Sequence, residues 1–190
     1  MTLRHLKGQP EIFTHVEAYL NPALNYIMEK NISDMIGYSF QIYALFVANS
    51  QAMSPNYKVL TDSILANKAN WDKDMRYLIP ALSNFLVAMI YKYPEQFTGD
   101  ANNMRSLQEI VSHLMKAEIR METTAMTIAG AIFEKLSAGG LTDQFVKSFL
   151  MSLFTCLHFY RNNTKTKLIP LTISKAIWSC IATFVIYQGT

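Results

Sequence analysis

The chain has 190 residues but only 7 glycines and 6 prolines, and it contains no low-complexity tract. With 51% hydrophobic residues, that composition excludes collagen-like and linker-like architectures and argues against disorder. Cysteine is equally scarce. Cys156 and Cys180 cannot make a disulfide framework, and neither has a metal-ligand neighbour at short spacing, so reduced thiols in an intracellular protein are the plain reading. Charge of one sign is never concentrated: 17 basic and 14 acidic residues are scattered to a formal +3. With no basic run, nucleic acid is not an expected partner. The opening "MTLRHLKGQPEIF" lacks the apolar core of a secretory signal. Asn31-Ile32-Ser33 and Asn162-Asn163-Thr164 therefore read as chance matches to the glycosylation triplet.

Catalytic constellations are missing too. His5, His15, His113 and His158 lie far apart in sequence. Cys156 and His158 are close, but two residues apart on a helix they point to different sides. No Glu-x-x-His pair of the di-iron bundle type occurs. Gly139-Gly140 lacks the spacing and lysine of a phosphate loop, and there is no nucleophile elbow. We therefore expect no catalytic, cofactor-binding or metal-binding residue, and a protein that is not an enzyme.

What is there is helical period, with no convincing strand alternation. In "NMRSLQEIVSHLMKAE" the apolar residues Leu107, Ile110, Val111, Leu114 and Met115 recur at helical spacing, and polar residues take the other side. "TDQFVKSFLMSLFTCLHFY" repeats the pattern through Phe145, Val146, Phe149, Leu150, Leu153, Phe154 and Leu157, with Thr142 as N-cap. "AEIRMETTAMTIAGAIFEKL" does so through Met121, Ala125, Ile128, Ile132 and Leu136, and ends at Gly139-Gly140. Ser54-Pro55 opens a short helix whose expected buried side is Val59, Leu60, Ile64 and Leu65. Ser33 precedes another helix, Pro22 should kink or split the first one, and Pro94 should close the helix ending at Tyr93.

These signals give eight helical segments, about 10–30, 34–50, 55–67, 75–93, 102–116, 118–136, 142–160 and 166–188. Short connections make sequential neighbours antiparallel. Every second segment begins at intervals of roughly 41 to 48 residues, the period of HEAT or armadillo helix pairs. An internal echo supports that period: Leu78-Ile79-Pro80 recurs as Leu168-Ile169-Pro170, ninety residues later. The expected fold is all-α, an α-α superhelix of HEAT/ARM type with about eight antiparallel helices. Residues 1–190 read as one stretch of repeats and as a piece of a longer solenoid.

The C-terminal run from Leu168 to Tyr187 carries one charge, Lys175, over a length that could cross a bilayer. Lys175 in mid-segment, Pro170 and several hydroxyls oppose that, so we read a terminal repeat helix whose next partner is missing, and expect no membrane association. Self-association through exposed end helices follows from the same feature. On the alternate segments 55–67, 102–116 and 142–160, Lys58, Asp62, Arg105, Glu109 and Lys147 fall on solvated faces. They serve ordinary solubility or form charged protein contacts along one surface of the array.

Several stretches resemble the exportin-2 (CAS) family of karyopherins. "DMIGYSFQIYALFVANSQAMSPNYKVLTDSILANKANW", closed by Trp71, is similar to a helix pair of that family's C-terminal half. "LIPALSNFLVAMIYKYPEQF", with Ile79-Pro80-Ala81-Leu82, resembles the helix that follows. "LQEIVSHLMKAE" and "TDQFVKSFLMSLFTCLHFYRNNTKTK" resemble later helices. The resemblance runs from about Asn31 onward and rests on order and spacing. It implies a nuclear export receptor piece that binds importin-alpha cooperatively with Ran-GTP, returns it to the cytoplasm, and shuttles through nuclear pores between nucleus and cytoplasm. It also implies that the second helix of each repeat lines a concave contact face, which would carry the five charged residues above. The family's basic Ran-binding elements near its N-terminus have no counterpart here. Two other readings compete: a generic HEAT-repeat scaffold, and a compact helical bundle with a membrane-associated C-terminal helix.

Overall fold

Helix boundaries follow from which backbone groups can find partners. The computed structural model describes residues 10–116, 119, 121–136, 143–163 and 169–188. Its helices are α1 (Pro10–Glu29), α2 (Ser33–Asn49), α3 (Pro55–Ala66), α4 (Ile79–Lys92), the single turn α5 (Glu95–Thr98), α6 (Ala101–Leu114), α7 (Glu122–Lys135), α8 (Asp143–Asn163) and α9 (Leu171–Gln188). Two 3₁₀ turns, Lys68–Trp71 and Lys73–Met75, join α3 to α4.

Some boundaries differ from the sequence expectation, each for a local reason. Pro22 lies inside α1, which is not split. Proline removes the bond to the carbonyl of Ala18, but both residues are exposed, so water can serve that carbonyl. Ser33 is the first residue of α2 rather than its cap, and the Ile32 cap position makes no side-chain bond. The preceding helix closes in a Schellman arrangement with Asn31 at φ 50°, the Ile32 amide donating to the Ile27 carbonyl (3.1 Å) and the Asn31 amide to that of Met28 (3.2 Å). The chain thus re-enters helix with no spare residue. α4 starts at Ile79 rather than 75, because Pro80 fits the first turn of a helix but not its interior. Likewise α9 starts just after Pro170, whose carbonyl accepts from the Ser174 amide (2.9 Å). Ser54 caps α3 as expected, accepting from the Asn56 amide (3.3 Å), and α4 stops before Pro94. Thr142 and Gly139-Gly140 lie outside the described residues.

The helices form two rows. α2, α4, α7 and α9 pack side by side in the first; α3, α6 and α8 do so in the second. α1 packs on α2 and joins the second row through the Tyr57 hydroxyl of α3, which donates to Glu17 Oε1 (2.5 Å). Contacts within the first row pair like ends. The side chain of Leu78 lies beside Gly37, Phe40 meets Phe85 (5.7 Å between centroids), and Ser50 Oγ meets the Tyr93 hydroxyl (2.6 Å). α2 and α4 are therefore parallel. The late residues Tyr91 and Glu134 link α4 to α7 (2.5 Å), and Phe133 and Phe184 link α7 to α9 (5.1 Å). Between rows the order reverses: Phe145 at the start of α8 meets Phe133 near the end of α7, while late Tyr160 reaches early Glu122. Parallel rows of antiparallel pairs make an α-α superhelix of HEAT type, not a closed bundle. Both Leu-Ile-Pro helices fall in the first row, two repeats apart.

The core runs between the rows. All five expected apolar residues of α6 are buried, as are Ala125, Ile128, Ile132 and Leu136 of α7. α3 differs: Tyr57 and Thr61 are buried beside Ile64 and Leu65, while Val59 is 66% exposed. In α8, Phe145, Phe149 and Leu153 are buried, but Phe154 is 64% exposed. Trp71 is buried at the end of its 3₁₀ turn against α6, with its indole N–H donating to the Ile64 carbonyl (3.2 Å). Among the described residues, no helix is long and apolar enough to cross a membrane.

Candidate functional site

The second row presents the charged residues singled out above, and the fold sorts them into separate groups. On α3, Lys58 Nζ and Asp62 Oδ2 pair with each other at 3.2 Å, one helical turn apart and open to solvent. On α6, Arg105 Nε lies 3.1 Å from Glu109 Oε1, and Lys68, from the 3₁₀ turn after α3, reaches Glu109 Oε2 at 2.6 Å. Lys147 of α8 is exposed and has no ion pair among the described residues.

Arg105 and Glu109 line a groove of about 940 Å³ along α6. Its two ends are formed by the last turn of α3 with the Lys68–Trp71 turn, and by the first turns of α8 through Gln144, Phe145 and Ser148. Phe97 from α5 and Met104, Ile110 and Trp71 give it an apolar floor, while Lys68, Arg105 and Lys116 give it a cationic rim. Lys58, Asp62 and Lys147 do not line it. Sequence reasoning passed over Lys68, which sits in a connection rather than in a periodic helix. It also passed over Phe97, hidden in the short segment after Pro94. The only signal for Lys68 was the run "LANKANW", where a tryptophan follows polar residues and so has to be buried by something distant.

The electrostatics are local. The Lys68 ammonium, with Arg105 behind it, holds the Glu109 carboxyl below the usual glutamate range. Whatever stability this lends is present above the ordinary glutamate pKa and vanishes as pH falls through the lowered one. These side chains are well exposed, so the stabilisation is small: Glu109→Gln is expected to shift unfolding stability by less than about 1 kcal/mol, read as a urea midpoint. What it changes is the groove, which loses its one lining carboxylate. On the other wall, His113 Nε2 lies 3.0 Å from Asp72 Oδ1, at ion-pair distance but without hydrogen-bond alignment. Among the described residues no three His, Cys, Asp or Glu side chains converge to hold a metal ion. The arrangement is an apolar trough with charged side chains along its rim, on the second row of helices.

The family model described as CAS/CSE protein, C-terminus, matches residues 3–178 of this sequence. No curated protein and no solved structure matches it.

Proposed function

The chain belongs to the CAS/CSE family, karyopherin-type transport receptors rather than a class of enzymes, and from that premise we propose that it serves nuclear export by binding importin-alpha together with Ran-GTP. The observation that carries this reading is the extent of the match, 3–178, which takes in eight of the nine described helices whole and part of α9. The fold supports it. A two-row array binds along its length, and its second row carries Lys58, Asp62, Arg105, Glu109 and Lys147 on exposed or half-exposed positions. In this reading they contact the partner proteins, and the groove beside α6 receives part of one of them.

The mechanism is linkage. If Ran-GTP and importin-alpha favour the same curvature of the superhelix, each raises the affinity of the other by the same factor. Hydrolysis on Ran removes the favoured state and releases both, and the receptor moves between nucleus and cytoplasm with its cargo. No chemistry is asked of the receptor itself. The test is a calorimetric titration of the chain with importin-alpha, in the presence of Ran-GTP and then of Ran-GDP. Binding that tightens at least tenfold with Ran-GTP alone is the expected result. Equal affinity with either nucleotide, from a folded sample, would leave these helices as a spacer and overturn the reading.

A further inference from the structure

Charge is scattered over most of this chain, but not in the groove along α6. Lys68, Arg105 and Lys116 line it against the single carboxylate of Glu109. With His113 neutral that is a formal +2, within a chain whose whole net charge is +3. Glu109 does not use those cations up. Lys68 Nζ sits 2.6 Å from one of its oxygens and Arg105 Nε 3.1 Å from the other. An ammonium has three donors and a guanidinium five, so each keeps capacity for a second carboxylate. Both side chains are mostly exposed, so a ligand reaches them without opening the fold.

Shape and surface narrow the occupant. The lining along α6 runs from Ala101 to Lys116, about 22 Å at roughly 1.5 Å per helical residue. An extended segment of about seven residues covers that length at roughly 3.3 Å each. Trp71 and Phe97 are closed over, at 1% and 0% exposure, and offer no open ring on which a nucleic-acid base stacks. What a ligand meets instead is Ala101, Thr98 and part of Met104, with the aliphatic stems of Lys68 and Arg105 beside them. Such a surface takes an aliphatic side chain. We propose that the groove binds an extended acidic segment of a partner protein, its carboxylates on Lys68, Arg105 and Lys116 and one aliphatic side chain over Ala101. This rests on the reading above only in assigning the groove to a protein partner.

The probe is a fluorescein-labelled heptapeptide of glutamate and serine with one central leucine. It is titrated by anisotropy into the whole chain, with neither importin-alpha nor Ran present. Saturable binding that weakens in high salt is the expected result. Lysine in place of glutamate should weaken the peptide at least about tenfold, and serine in place of leucine at least about threefold. Arg105→Glu and Lys68→Glu change exposed side chains, so each should keep the helical circular dichroism and bind about tenfold more weakly. Lys116→Glu replaces either that fails to fold. Glu109→Gln should do the opposite and tighten binding about twofold to fivefold, because it removes the competing carboxylate. Damage to the fold cannot produce that gain. No saturation by about 1 mM peptide overturns the proposal. So do equal binding of the lysine peptide, wild-type affinity in Arg105→Glu and Lys68→Glu, or tighter binding of an equally long oligothymidylate. The export reading is tested separately: a chain that binds the peptide but ignores Ran-GTP overturns that reading alone. One that responds to Ran-GTP but not to the peptide overturns this proposal alone.

Discussion

Phe133→Ala is expected to cost about 3–5 kcal/mol, because it empties a fully buried aromatic site where three helices meet. Phe133 on α7 is 1% exposed, and its ring lies 6.2 Å from Phe145, 5.5 Å from Phe149 and 5.1 Å from Phe184. Those partners belong to α8 and α9, so one side chain ties both to the rest of the array. An edge-on ring pair adds roughly 0.5–1.5 kcal/mol beyond the area it buries, and several are lost together here. In an array whose units touch only neighbours, the damage should stay local. Hydrogen exchange is the discriminating measurement: amides of α8 and α9 should exchange faster, while those of α2 and α4, joined by Phe40 and Phe85, keep their protection. Equal acceleration everywhere would mean the chain unfolds as one cooperative unit. Phe154→Ala, on the neighbouring α8 but 64% exposed, is the control and should cost well under about 1 kcal/mol.

That contrast between Phe133 and Phe154 also marks how far the sequence could be read. Helix periods and the alternation of the rows were legible, because burial on one face leaves a 3.6-residue signature wherever the face is uniform, as on α6. The CAS resemblance was legible in the order of short apolar matches, and the family match over residues 3–178 agrees with it. What failed depended on contacts distant in sequence. Val59 reads as core from spacing alone, yet Tyr57 takes the buried side of α3, with its hydroxyl reaching Glu17 forty residues earlier. Phe154 looks like one more seam residue, but α8 turns it away from α7 and α9 toward solvent. At the candidate site, Arg105 and Glu109 were identified from the solvated face of α6, and their groove was not. Its floor comes from Phe97 and Trp71, which lie in connections where no period exists to read. Lys58, Asp62 and Lys147 share a row with the groove but not its walls, since a helix can bear charge on a face that lines nothing.

Stability should fall steeply on the alkaline side, and the direction follows from four buried acids. Tyr43 and Tyr57 are fully buried, and Cys156 and Cys180 nearly so. Burial, with the Glu17 carboxylate adding to it, pushes the Tyr43 phenol up to about 12, and burial and the hydrogen bond to Glu17 push Tyr57 higher still. Burial with nearby Glu122 raises the Cys156 thiol to about 11, and burial alone raises Cys180 to about 12. Unfolded, these groups titrate near their ordinary values, roughly 8.5 for a thiol and 10 for a phenol. Below about pH 8 both states hold all four protons and pH changes nothing through them. Above that, the unfolded chain releases protons that the folded chain keeps, so each group removes up to about 1.4 kcal/mol per pH unit until its folded pKa is passed. Tyr91 is also raised to about 12, but at 45% exposure solvent screens it and it adds little. Urea midpoints should therefore drop between pH 8 and pH 11, with a slope of up to about two protons while the thiols titrate in the unfolded chain, steepening to about three as the phenols follow. Tyr57→Phe should flatten that slope by one proton while costing about 1–2 kcal/mol at neutral pH, through the lost bond to a carboxylate. The same burial predicts that a disulfide reagent at pH 8 reacts with the thiols slowly in the native chain and fast in urea. A Tyr57→Phe slope equal to wild type would put that hydroxyl in water, and with it break the link that holds α1 to the second row.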